Sequence, residues 1–145
     1  MNLNKSLSLL SVIVVLLAVN CKKGKEGEET NNSSDSAIVL NLNGSPAQNL
    51  ITVFEAGITA LESNADNPGA AASSLGKILS SYDVADLRDK ARQAKEAGQG
   101  ATEQEKNQLA TAMAKYKKLA AEVGSKDPGA FNDVHTKWSA AFGVK

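Results

Sequence analysis

Residues 45–64, SPAQNLITVFEAGITALESN, decide the fold class. Leu50, Phe54, Ile58 and Leu61 recur every three to four positions, the spacing that gathers apolar side chains on one face of an α-helix. Ser45 offers an oxygen to the free amides of a helix start. Pro46 suits the first helical position, because the N–H it lacks would have no partner there. The turn cluster NADNPG at residues 64–69 ends the pattern, with Pro68 disfavouring helical backbone just before it. A helix over residues 46–64 follows.

The same period continues downstream. Ala71, Leu75, Ile78, Leu79 and Tyr82 form one face, but Asp86 stands where that face would continue, and a new stripe of Val84, Leu87, Ala91 and Ala94 begins after Asp83, a good capping residue. This predicts either one kinked helix over about 69–97 or two helices meeting at 81–83. After Gly98-Gln99-Gly100, Thr102 and Glu105 have the spacing of a capping box, in which hydroxyl and carboxylate each satisfy a free amide. The next face is Leu109, Ala112, Met113, Tyr116, Leu119, Ala120 and Val123, with a stop expected at Gly124. Asp127-Pro128 restarts the pattern for Phe131, Val134, Trp138, Ala141 and Phe142, closed by Gly143. The expectation is all-α: a small up-and-down four-helix bundle over 45–145, its second helix kinked or split, with antiparallel neighbours joined by short turns. Aromatic residues are 4% of the chain, so its Ala-rich faces imply close packing around a thin core.

Upstream, AIVLNLN at 37–43 is β-branched and partly alternating. No partner strand follows, so residues 37–44 read as an extended arm laid against helices, or else as unstructured chain. Residues 22–36, KKGKEGEETNNSSDS, have almost no apolar side chain and cannot bury enough surface to offset ordering entropy. They read as a flexible N-terminal tether with a coil reach on the order of 20 Å.

The first 20 residues have the grammar of a signal peptide: basic Lys5, then the apolar run LSLLSVIVVLLAV at 7–19. A bilayer-crossing helix needs roughly 20 apolar residues, more than this run supplies. The single cysteine, Cys21, closes the run in LAVNC at 17–21. This resembles a lipobox, cleaved between Asn20 and Cys21. Leu17 and Ala18 fit the usual pattern, whereas Val19 and Asn20 resemble the relaxed boxes of spirochaete lipoproteins, leptospiral ones in particular. The resemblance implies acyl chains, palmitate among them, on Cys21 and a place in the cell envelope. Several acyl chains hold a protein stably where one chain does not. Lys22 and Lys23 replace the aspartate that retains some lipoproteins at the inner membrane. Outer membrane is therefore the expected address, on the cell surface or the periplasmic side.

Chemistry is sparsely represented. The chain has one histidine, His135, and an acylated Cys21 provides no thiol, so Cys-His catalysis is excluded and no Gly-x-Ser-x-Gly elbow appears. Zinc or di-iron spacings of His, Cys and Glu are absent from the sequence, and no metal is expected. Carboxylate pairs such as Asp86 with Asp89 and Glu103 with Glu105 fall in first turns, where they complement the helix dipole. Met113, Tyr116, His135 and Trp138 share the last two helices and are the candidate ligand-binding residues, including a non-covalent haem between Met113 and His135. The bland alternative is packing for Met113 and a boundary position for His135. Sixteen basic residues balance 16 acidic ones, which argues against nucleic acid as a partner.

The mature region is similar in style to the small, Ala-rich helical lipoproteins of spirochaetes. The expected function is a non-enzymatic, lipid-anchored envelope protein without a cofactor beyond its lipid, which binds host or envelope proteins. The alternatives are a small-ligand or haem carrier and a structural coat lipoprotein.

Overall fold

The computed structural model describes residues 38–144. The signal segment, the Asn20–Cys21 junction and the tether lie outside the described residues. Among those described there are five α-helices and no strand: α1 Pro46–Ser63, α2 Pro68–Ser81, α3 Val84–Glu96, α4 Glu103–Lys126 and α5 Pro128–Phe142. The class is all-α as expected, but the helix count is five rather than four. The chain breaks at Tyr82, whose backbone is extended (φ −130°, ψ 125°), and Asp83 caps α3 by accepting from the Asp86 amide at 2.9 Å. The phase slip between the two apolar stripes is thus a helix boundary and not a kink.

Each start has its own oxygen acceptor. Ser45, Asn67, Asp83, Thr102 and Asp127 accept from the amide three residues on, and the capping box of Thr102 and Glu105 is complete in both directions. Gly124 does not stop α4, which runs on to Lys126. A glycine lowers helix propensity without forbidding helix, and a Cβ at Gly124 would crowd the Phe131 ring at 3.2 Å, so its smallness serves packing. The true stop is Asp127, which ends α4 and caps α5 before Pro128.

The helices do not pack in sequence order. α1 packs against α2, α3 and α4, while α5 packs chiefly on α2 and also on α4 and α3; the consecutive pairs α2–α3 and α3–α4 share little or no contact. This departs from an up-and-down arrangement, because the extended Tyr82–Asp83 corner and the 97–102 connection, with Gly98 at φ 78°, turn the chain away from the helix just completed. Ties between α1 and α4 climb together along both helices. Ser45 Oγ donates to Glu105 at 2.5 Å, Gln108 Nε2 donates to Glu55 at 2.8 Å, Lys115 pairs with Glu62 at 2.8 Å, and Lys126 reaches Asp66 beyond the end of α1. α1 and α4 therefore run in the same direction.

Parallel neighbours set two positive helix ends side by side, an arrangement that favours an anion there. Glu105 supplies it. Its carboxylate accepts from the Ser45 hydroxyl and from the Thr102 amide and hydroxyl, and these bonds hold its pKa below the usual carboxylate range. The core is one cluster drawn from all five helices, in which Val53, Phe54, Leu61, Leu75, Ile78, Tyr116, Val123, Phe131 and Trp138 are essentially inaccessible.

Residues 38–44 form neither helix nor strand; Ile38, Leu40 and Leu42 lie on this cluster, alternating with the exposed Val39, Asn41 and Asn43. Of the two expectations for the arm, the docked one is observed over the residues described.

Candidate site at the seam of the last two helices

The sequence candidates are on α4 and α5, which meet at a tight corner at Asp127. Tyr116 and His135 do meet: the phenol oxygen and His135 Nδ1 are 2.9 Å apart, and the rings stack at 5.8 Å with 23° between their planes. Phe131 also stacks with the imidazole, at 5.6 Å and 15°. Burial lowers the His135 pKa and raises that of Tyr116, so both groups are held neutral near pH 7. In that state one ring nitrogen is a donor and the other an acceptor, and the Tyr116 hydroxyl occupies Nδ1.

Trp138 is fully buried within a ring of aromatic neighbours, Phe54 at 6.1 Å, Tyr116 at 6.0 Å and Phe142 at 4.6 Å. Its Nε1 has no hydrogen-bond partner, a desolvation cost of about 1–3 kcal/mol that the aromatic packing must offset. The indole reaches across to α1, where Gly57 makes room for it; a Cβ at Gly57 would overlap Cζ2 and Cη2 of the ring. Trp138 is therefore a core residue with no face toward a ligand.

Beside His135 lies an open groove of about 510 Å³. Its floor includes Ala120, Gly124, Phe131 and Val144, and its rim carries Lys117, Asn132, Thr136 and Ser139. Of the four sequence candidates only His135 lines it. Met113 is half-buried against the core elsewhere on α4 and does not share this groove, so the proposed axial pair of Met113 and His135 is not assembled. With Nδ1 engaged by Tyr116, the histidine keeps one nitrogen for any other contact.

Among the described residues, no three His, Cys, Asp or Glu side chains gather as a metal site would require. At this seam the Tyr116 phenol and the His135 imidazole form a hydrogen bond that ties α4 to α5.

Sequence reasoning missed two features. The groove rim could have been anticipated from Asn132, Thr136 and Ser139, which follow helical spacing on one flank of α5. Nothing local marks Gly57 as the seat of Trp138, since the two are 81 residues apart and meet only through the fold (138 − 57 = 81).

No protein-family model, curated protein or solved structure matches the chain.

Proposed function

We infer that this protein is an exported lipoprotein, acylated at Cys21, whose helical domain binds another protein at the surface of the cell envelope and performs no chemistry of its own. The observation that carries the reading is the position of the only cysteine. It closes the apolar run 7–19 behind a basic residue and opens a polar stretch that continues to Ser36. An apolar segment alone is common, but one that ends on the sole thiol and passes at once into a polar linker fits lipid attachment better than it fits a membrane-spanning helix.

The domain that follows has its large apolar side chains turned inward, and the charges on its exterior are mostly spent on one another: Lys90 with Asp86, Arg92 with Asp89 and Glu96, Lys137 with Asp133. Such exposed pairs add little stability but keep the surface solvated, as suits a domain held away from a membrane.

Metabolic labelling with an alkynyl fatty acid tests the anchor. The wild-type chain should incorporate label and fractionate with membranes, and Cys21→Ala should lose the label and accumulate as the uncut precursor. An unlabelled wild-type chain would refute the reading. Protease treatment of intact cells, with a periplasmic protein as integrity control, then distinguishes a host-facing from a periplasm-facing domain.

A second reading, a carrier of a small ligand, is favoured by the groove beside His135. Titration with haem is its direct test: a Soret band abolished by His135→Ala would support it, and an unchanged spectrum would remove the haem form.

A further inference from the structure

The charges around the groove beside His135 are not balanced. Along α4, Lys115 is matched by Glu62 and Lys118 by Glu122, whereas Lys117 makes no ion pair or hydrogen bond among the described residues. Lys117 is the cation on the groove rim, and no aspartate or glutamate lines the groove. A positive charge therefore stands beside an apolar floor without a counter-ion.

Two further donors share that rim. Nδ1 of His135 is taken by Tyr116, and Nε2 has no partner among the described residues. The tautomer in which the phenol donates to Nδ1 has the ring hydrogen on Nε2, so an acceptor that reaches Nε2 from the groove selects it. The Asn132 side-chain amide is likewise unengaged. Below them the floor is low and apolar. Gly124 contributes no side chain, and the left-handed turn at Gly143 (φ 69°) lets the Val144 amide bond back to the Ser139 carbonyl at 2.9 Å, which sets Val144 in the lining.

We propose that this groove binds a small organic monocarboxylate with a flat or short apolar body, its charge on Lys117 with Asn132 and His135, its body on the floor. One unmatched cation fits one negative charge. A phosphate commonly draws on free helix amides or bidentate arginines, but no arginine lines the groove and the Asp127 carboxylate already serves the start of α5. The volume of about 510 Å³ lies within the range of about 300–1,000 Å³ usual for small-molecule sites. The proposal rests on the reading of the domain as a carrier of a small ligand and specifies that ligand's charge and size.

The test photolabels the full chain in isolated membranes with 4-(trifluoromethyl-diazirinyl)benzoate and, in parallel, with the matching primary amide; labelled peptides are mapped by mass spectrometry. Benzoate should displace the acid probe from peptides of α4 and α5 at a concentration about tenfold below that of benzamide, because a hydrogen bond to a charged group outweighs a neutral one by about that factor. Lys117→Gln, an exposed change at a residue that bonds to nothing, should remove this preference. Ala121→Phe, also exposed and in the lining, should fill the groove and abolish displaceable labelling by both probes. Displaceable labelling in the groove with no preference for acid over amide, or with a preference that survives Lys117→Gln, would overturn the proposal and leave the carrier reading standing. Labelling that Ala121→Phe leaves intact would put the site elsewhere and overturn it as well. Absence of displaceable labelling by either probe would also overturn it, and the haem titration then decides the carrier reading by itself.

Discussion

At the scale of single residues, the contact of Gly57 with Trp138 is the tightest constraint in the core. Gly57→Ala drives a methyl group into the indole, and overpacking of this kind costs about 1–3 kcal/mol. The expected result is a lower urea midpoint by far-UV circular dichroism. Trp138→Phe removes the carbons that collide and also the unpaired Nε1, so the double variant should lose less than the sum of the two single losses. His135 governs a different response. Burial holds its folded pKa below the unfolded value of about 6.5, so the unfolded chain takes up the proton first. Its contribution to stability is then complete above that unfolded value and declines as pH falls from there toward the folded pKa. Glu105 and Asp66, whose carboxyls are held low by their hydrogen bonds and, for Asp66, by the Lys126 charge, act in a lower window around the ordinary carboxylate range. Urea unfolding at pH 7.5 and pH 5 should thus show a smaller drop for His135→Gln than for the wild type. An equal drop in both would place the sensitivity elsewhere.

At the scale of elements, the arm depends on one hydroxyl from the far side of a helix break. Tyr82→Phe keeps the ring and deletes both hydrogen bonds to the arm, and loss of the two is expected to cost about 1–3 kcal/mol of local stability. The amides of residues 38–42 should exchange faster in the variant while those of α1 and α4 remain protected; unchanged exchange would mean that apolar packing alone holds the arm. Elements were also the scale most legible in the sequence. The caps Ser45, Asp83, Thr102 and Asp127, the prolines Pro46 and Pro128 at helix starts and the Gly143 terminator act locally, within a turn of the backbone they satisfy, and so were recognised one by one; Asn67 and Pro68 read only as the end of α1, although they also start α2. The split at 81–83 was visible as a phase slip, but choosing between kink and break required the backbone of Tyr82, which is extended where α2 ends. Gly124 misled because a glycine chosen for Phe131 looks the same in sequence as one chosen for a helix end.

At the scale of the whole molecule, amphipathic stripes say that helices share a core without saying which ones touch. Short loops suggested sequential neighbours, whereas α1 sits among three partners and α4 lies parallel to it. The information that sets this order is carried by pairs far apart in the chain, such as Ser45 with Glu105 and Glu62 with Lys115. The candidate site suffered from the same limit. Tyr116 meets His135 and Trp138 across the two helices, but the sequence could not tell that Trp138 would turn inward and that Met113 would not share the groove.

The clasp on the arm also has a mechanical meaning. Among the described residues, a pull applied from the N-terminal side reaches Ile38, the residue whose carbonyl Tyr82 holds, before the first turn of α1. The arm is thus the first link in the load path through the described residues, a short length of chain whose release would come before any opening of the helices behind it.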